Sequence, residues 1–262
     1  MIKNPLTDPV PQEIPLKDAP LVKVIAQLRF SPIASIEKAE FISAFQEAIR
    51  EKYPVLRPEQ SFNFIMSPVG PAGNVSGKIW RFRNEQEKWA VALSQDFIAI
   101  ETSTYTSRTD FLSRWEFILK AATEHLKLMQ YDRIGVRYID RIQGDTYLRA
   151  KEFTKNKILG VFGDFTDDAV LHNFNENLFK IEDAQLLARW GKLAANETFD
   201  PAAIEPLQSS SWVLDLDMSR TVQEQMVVDQ IMTRSRFFCE RIYTFFRWVV
   251  TDDFINYYGG AL

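Results

Sequence analysis

Tyr131–Ile142 reads YDRIGVRYIDRI, and the spacing of its charges decides how the chain is read. Arg133, Arg137 and Arg141 recur every fourth residue, with Ile134, Val136, Tyr138 and Ile142 set between them. Side chains alternate across a strand, so the three arginines share one face and the apolar set takes the other. The stretch is expected to be a strand with one basic and one buried face. Two uses of the basic face follow: a site for an anionic ligand, or one half of a salt-bridged sheet surface.

Neighbouring segments alternate in the same way. LVKVIAQLRF (21–30) puts Val22, Val24, Ala26, Leu28 and Phe30 on one side and Lys23, Gln27 and Arg29 on the other. KIWRFRNEQEKWAVALSQDFIAIETSTY (78–105) reads as a three-strand meander turning near Asn84–Glu87 and Ser94–Asp96, with Trp80 and Phe82 opposite Arg81 and Arg83. FNFIM (62–66) is a short strand before a loop marked by Pro68, Gly70, Pro71 and Gly73. QLLARWGKL (185–193) and SWVLDLD (211–217) are further strands, and 151–183 reads as loops with short helices around Asp167–Phe174.

Helical spacing appears three times. Phe41, Phe45 and Ile49 form a stripe after Ser35 and before Pro54; Phe111, Trp115, Ile118, Ala122 and Leu126 form a second. The longest runs through Val227, Ile231, Ser235, Phe238, Ile242, Phe245 and Val249, and Thr221 with Glu224 has capping-box spacing at its start. Asp252 and Asp253 open a last short helix. Strands and helices in this order imply an α+β fold, an antiparallel sheet covered by long amphipathic helices. The stretches 96–119 and 209–232 share a strand, polar turn and long helix, which points to a degenerate internal duplication of a strand–helix–meander–helix unit. The expected organisation is a proline-rich arm over 1–20, an α+β half over 21–150, and a second over 151–262 packed closely on the first.

The 262 residues are 46% hydrophobic and 25% charged, with a net charge of −4, as in an ordinary globular protein. That charge disfavours a surface that tracks nucleic-acid phosphates throughout. The single cysteine, Cys239, excludes an internal disulfide and suits a reducing compartment. The first twenty residues lack the apolar core of a signal peptide, and no run is long and apolar enough to span a bilayer. A cytoplasmic protein without a membrane partner is expected.

The motifs of common chemistries are incomplete. Gly73–Ile79, GNVSGKI, superficially resembles a phosphate loop, but its first glycine is one position too close and Ile79 stands where a hydroxyl should hold magnesium. His125 near a helix end suits the local dipole. Asp168 and His172 have metal-ligand spacing, although acids after Thr166 are also what a helix start prefers. In WVLDLD, Asp215 and Asp217 project from one strand face and are the metal candidates, yet no third acidic ligand is nominated at a diagnostic spacing. The ligand-binding candidates are Arg133, Arg137, Arg141, Arg81 and Arg83, whose planar forks read phosphate or carboxylate bidentately. A structural ladder with acids such as Asp215, Asp217 and Glu101 is the favoured use of this face. No catalytic residue and no cofactor is assigned.

PLKDAPLVKVIAQLRF (15–30), the meander from Trp80 to Phe111, YDRIGVRYIDRI, and WVLDLD followed by a long helix and VVTDDFINYYG (249–259) together resemble a known family. It is a sporadically distributed family of uncharacterised bacterial and archaeal proteins. The resemblance covers nearly the whole chain and implies a single full-length module without an established activity. Patchy distribution implies genes that travel, as cargo of mobile elements, toxin–antitoxin pairs or phage-defence systems. The expected function is that of a non-enzymatic binding or accessory protein acting through a protein partner or as a homo-oligomer. The alternative is a nucleic-acid- or nucleotide-binding protein, a metal-dependent phosphodiesterase among the options, using the basic face and the Asp pair.

Overall fold

The computed structural model describes residues 2–67 and 70–261, with side chains described outside 60–76. Contacts divide the chain into two compact units: Ile25–Ile134 with Thr221–Ser235, and Met1–Val24 with Gly135–Arg220 and Arg236–Leu262. The first unit holds most of β1 (Leu21–Arg29), then α1 (Ala39–Ile49), β2 (Val55–Ser67), β3 (Gly70–Arg83), β4 (Trp89–Ser94), β5 (Phe97–Thr102) and α2 (Arg108–Leu126). From β2 to β5 each strand pairs antiparallel with the next. Phe82 faces Val91 and Val91 faces Ile100, and all three are fully buried. A slip of one residue would turn that row to the other face, so burial pins the register.

Aromatic contacts tie helix to sheet here. Phe45 of α1 meets Phe82 edge-on at 5.7 Å, and the Trp80 indole donates to the Ile36 carbonyl at 2.7 Å. The buried stripe of α1 is Ile42, Phe45 and Ile49, whereas Phe41, expected in it, is 37% exposed. The stripe of α2 is as its spacing predicts, with Phe111, Trp115, Ile118, Ala122 and Leu126 all buried. Ser107 caps α2 by accepting the Asp110 N–H at 3.1 Å, and Lys127 ends it in the left-handed region.

β6 (Gln130–Ile142) passes from the first unit into the second. Three single-turn helices follow, α3 (Ala150–Phe153), α4 (Asn156–Leu159) and α5 (Val161–Asp164). Then come β7 (Asn173–Ile181), β8 (Ala184–Leu193), β9 (Ser211–Gln225), α6 (Val228–Val249) and α7 (Asp252–Tyr257). β7, β8 and β9 pair antiparallel in sequence. Gly191 is a required glycine: its φ is +148°, and a Cβ there would lie 2.0 Å from the Asn173 carbonyl oxygen. The N-terminal arm runs along its own unit. Ile14 N–H donates to Tyr243 Oη at 2.9 Å, Arg241 Nη1 to the Asp8 carbonyl at 2.8 Å, and Asp18 N–H to the Tyr258 carbonyl at 3.3 Å.

Among the described residues the strands hydrogen-bond in the order β2-β3-β4-β5-β1-β6-β9-β8-β7. The chain is thus mixed α/β with a large antiparallel sheet and several helices. No described helix is long and apolar enough to cross a membrane.

Three elements differ from the sequence reading. The long helix begins at Val228 rather than Thr221, because β9 continues to Gln225. Glu224, read as half of a capping box, instead accepts the Tyr131 hydroxyl at 2.6 Å, and Met226 N–H bonds the Met129 carbonyl. The short helices lie at 150–164 and not around 167–174, where β7 already starts at Asn173. Residues 70–73, read as loop, open β3; Pro68, which marked the same loop, lies outside the described residues.

Candidate functional site: the arginine row

β6 carries Arg133, Arg137 and Arg141 on one face, as strand period requires. β8 and β9 carry the groups that meet the middle one, because their register sets Arg189 opposite Asp215. Arg137 Nε donates to Asp215 Oδ1 at 2.7 Å and Nη2 to Oδ2 at 3.0 Å, a bidentate pair. Arg189 Nε donates to Asp215 Oδ2 at 2.8 Å from the other side. The connection between β8 and β9 adds Asp200, whose Oδ2 accepts from Arg137 Nη1 at 2.6 Å. The neighbouring Phe199 ring lies 4.7 Å from the Arg189 guanidinium.

This cluster closes its own charge, with two guanidinium groups facing two carboxylates. Asp215 is fully buried, and the Arg137 and Arg189 side chains are only 13% and 16% exposed. Burial pulls the Arg137 pKa down, yet the hydrogen bonds and charges of Asp215 and Asp200 outweigh it and hold the group above its ordinary value. Burial likewise pushes the Asp200 carboxyl up, and Arg137 more than reverses that, leaving it below the usual carboxylate range. A divalent cation on Asp215 would have to sit beside two arginines, which Coulomb repulsion opposes. The partner expected in a metal pair, Asp217, faces Leu187 across the ladder.

The outer members of the row differ from the middle. Arg133 Nη1 reaches Gln27 Oε1 at 3.4 Å. Arg141 is 4% exposed and donates to Ser211 Oγ at 3.0 Å and to the Glu205 carbonyl at 2.5 Å. It has no carboxylate partner among the described residues, its Nη2 meets no protein acceptor, and burial lowers its pKa. On the opposite face of β6, Asp140 is equally buried, and desolvation pushes its carboxyl up to about 7.

Arg81 and Arg83 lie in the other unit and are partnered there. Arg81 Nε meets Glu59 Oε2 at 2.5 Å and Nη1 meets Glu101 Oε1 at 2.6 Å, while Arg83 Nη2 reaches Glu59 Oε1 at 3.3 Å. Burial lowers the Arg81 pKa, but Glu101 and Glu59 together raise it. Asp167 also serves the fold, accepting the Tyr147 hydroxyl and the buried Lys192 Nζ. Asp168 and His172 do not share a helix; His172 Nδ1 instead lies 3.6 Å from Glu197 Oε2. Cys239 is buried. Among the described residues no group of three or more His, Cys, Asp or Glu side chains is placed to hold a metal ion.

Sequence reasoning did not single out Arg189 or Asp200. Arg189 sat in a segment read only as a strand, and its in-register opposition to Asp215 could be found only by aligning QLLARWGKL against WVLDLD. Asp200 lies in a polar, proline-containing connection with no periodicity to show which way it turns. Comparison with known proteins returns no matching family model and no matching curated protein.

Proposed function

We propose that the chain is a non-enzymatic binding or accessory protein that works through a protein partner or a second copy of itself. One observation carries the reading: five of the ten large apolar side chains that the described residues expose fall within 148–178. They are Leu148, Val161, Phe165, Leu171 and Leu178, and Leu148 and Leu171 are each 81% exposed. Exposed apolar side chains are what a protein partner covers, and no other stretch of this length among the described residues supplies as many. The arginine clusters support the same reading by contrast. Arg137, Arg189 and Arg81 are held by the protein's own carboxylates, which leaves those forks little to offer a polyanion.

The family resemblance belongs to this proposal, as do a cytoplasmic location and service in a mobile-element, toxin–antitoxin or phage-defence system. So do the amphipathic cover and the internal duplication. Strand order supports the duplication, since β1 neighbours β5 and β6 neighbours β9. In each series the opening strand lies beside the closing strand of its own meander, and a long helix, α2 or α6, follows that strand.

Co-expression with the products of adjacent genes, followed by purification and mass measurement, tests the function. A defined complex or homo-oligomer that weakens in Leu148→Asp/Leu171→Asp is expected. Hydrolysis of nucleotides, DNA or RNA with magnesium or manganese, lost in Asp217→Asn with the fold intact, would overturn it in favour of the phosphodiesterase alternative.

A further inference from the structure

β7 ends the strand order, and its ladder to β8 runs without a register shift from Asn173↔Lys192 to Ile181↔Ala184. The two-residue turn Glu182–Asp183 makes Ile181↔Ala184 a hydrogen-bonded pair, and bonded and non-bonded pairs alternate from there. Phe179, Asn177 and Asn175 therefore bond to β8. The backbone N–H and C=O groups of Phe174, Glu176, Leu178 and Lys180 point the other way and have no backbone partner among the described residues.

Sheet edges are normally blunted by proline, a bulge, charged side chains or a covering element; β7 has neither proline nor bulge, and its two exposed charges, Glu176 and Lys180, are of opposite sign. Its outward residues share one face. Glu176 and Lys180 are exposed, Leu178 between them is 61% exposed, and neither charge has an ion-pair partner among the described residues.

Self-pairing across a two-fold axis allows few registers. Centring on Glu176 or on Lys180 sets a charge against its own copy, which is destabilising. Centring on Asn177 sets Glu176 against Leu178 and Lys180 against Phe174, leaving both charges opposite apolar groups. Centring on Leu178 sets Leu178 against itself and Glu176 against Lys180, twice by symmetry. The same register makes all three pairs hydrogen-bonded ones, because it uses the outward backbone groups. A two-fold interface must be self-complementary, and this edge is.

We propose that two copies of the chain join by antiparallel pairing of their β7 edges, in the register centred on Leu178. The inference rests on the binding-protein reading above and gives its self-association a surface. The occupant is a second copy because the charge pattern matches itself.

Sedimentation velocity of the full chain over a concentration series tests it. The wild type is expected to dimerise. Glu176→Lys and Lys180→Glu should each weaken the dimer roughly tenfold by setting like charges opposite one another. Mixing those two variants should restore a heterodimer, since both cross-strand pairs again have opposite signs. Leu178→Pro should abolish dimerisation while keeping the protomer's thermal stability, because the N–H it removes faces away from β8. A wild type that stays monomeric overturns the proposal and makes Glu176 and Lys180 charges that block the edge. A dimer equally strong in every variant also overturns it, but leaves self-association through another surface intact.

Discussion

Arg137 and Arg141 stand four residues apart on one face of β6, and their surroundings are opposite. Arg137 is gripped by Asp215 from β9 and by Asp200 from the β8–β9 connection. Arg141 is more deeply buried and, among the described residues, has only a hydroxyl and a carbonyl for side-chain partners. Strand period brings both to the same face but does not supply the counter-charge. That depends on which residue of the neighbouring strand comes within reach: Asp215 of β9 meets Arg137, whereas Ser211 meets Arg141. The lesson is that a repeat of like charges in a strand predicts orientation and leaves energetics open.

The largest expected effect breaks the Arg137 side of this comparison. Asp215→Ala strands the mostly buried Arg189 guanidinium and leaves Arg137 with Asp200 alone, and losing one partner of a buried pair costs about 3–5 kcal/mol. Urea unfolding should show that loss; a change below about 1 kcal/mol would mean that the cluster is screened like a surface pair. Next comes Asp140→Asn, which asks whether Arg141 feels the carboxylate beside it in sequence. The folded pKa of Asp140 is about 7 against an ordinary 3.8. Between those pH values the folded state binds more protons, so stability falls as pH rises through the interval and stays lowered above it. The variant should escape this loss and exceed the wild type at pH 8 by on the order of 4 kcal/mol. At pH 4 the two should be nearly equal, and a destabilised variant at pH 8 would show that Asp140 neutralises Arg141. Arg141→Met should have the smallest effect. It gives up two hydrogen bonds but also removes a buried cation without a carboxylate, for a net change within about 1 kcal/mol. A loss equal to that of Asp215→Ala would erase the distinction between the two arginines.

Much of the fold was legible because burial writes itself as alternation. Trp80 and Phe82 opposite Arg81 and Arg83, and Ile134 and Val136 opposite Arg133 and Arg137, read correctly from the sequence. β7 did not, since Asn173, Asn175 and Asn177 dilute the pattern on an edge strand with partly open faces. The start of α6 was misread because Thr221 and Glu224 satisfy a helix-cap spacing that Tyr131, distant in sequence, draws into a strand contact. At the site, Arg137 and Asp215 were each assigned a face. Their pairing needed the β6, β8 and β9 neighbourhood, and Asp200 needed a connection whose path no local rule fixes.

The central claim is that the arginine row is spent on the fold and is not held out to a polyanion. Fluorescence anisotropy with short single-stranded and duplex oligonucleotides, at low and at moderate salt, tests it most directly. The account predicts binding at moderate salt no tighter than the weak end of non-specific association, about 100 μM. Micromolar or tighter binding at moderate salt, lost in Arg133→Ala with thermal stability unchanged, would contradict it.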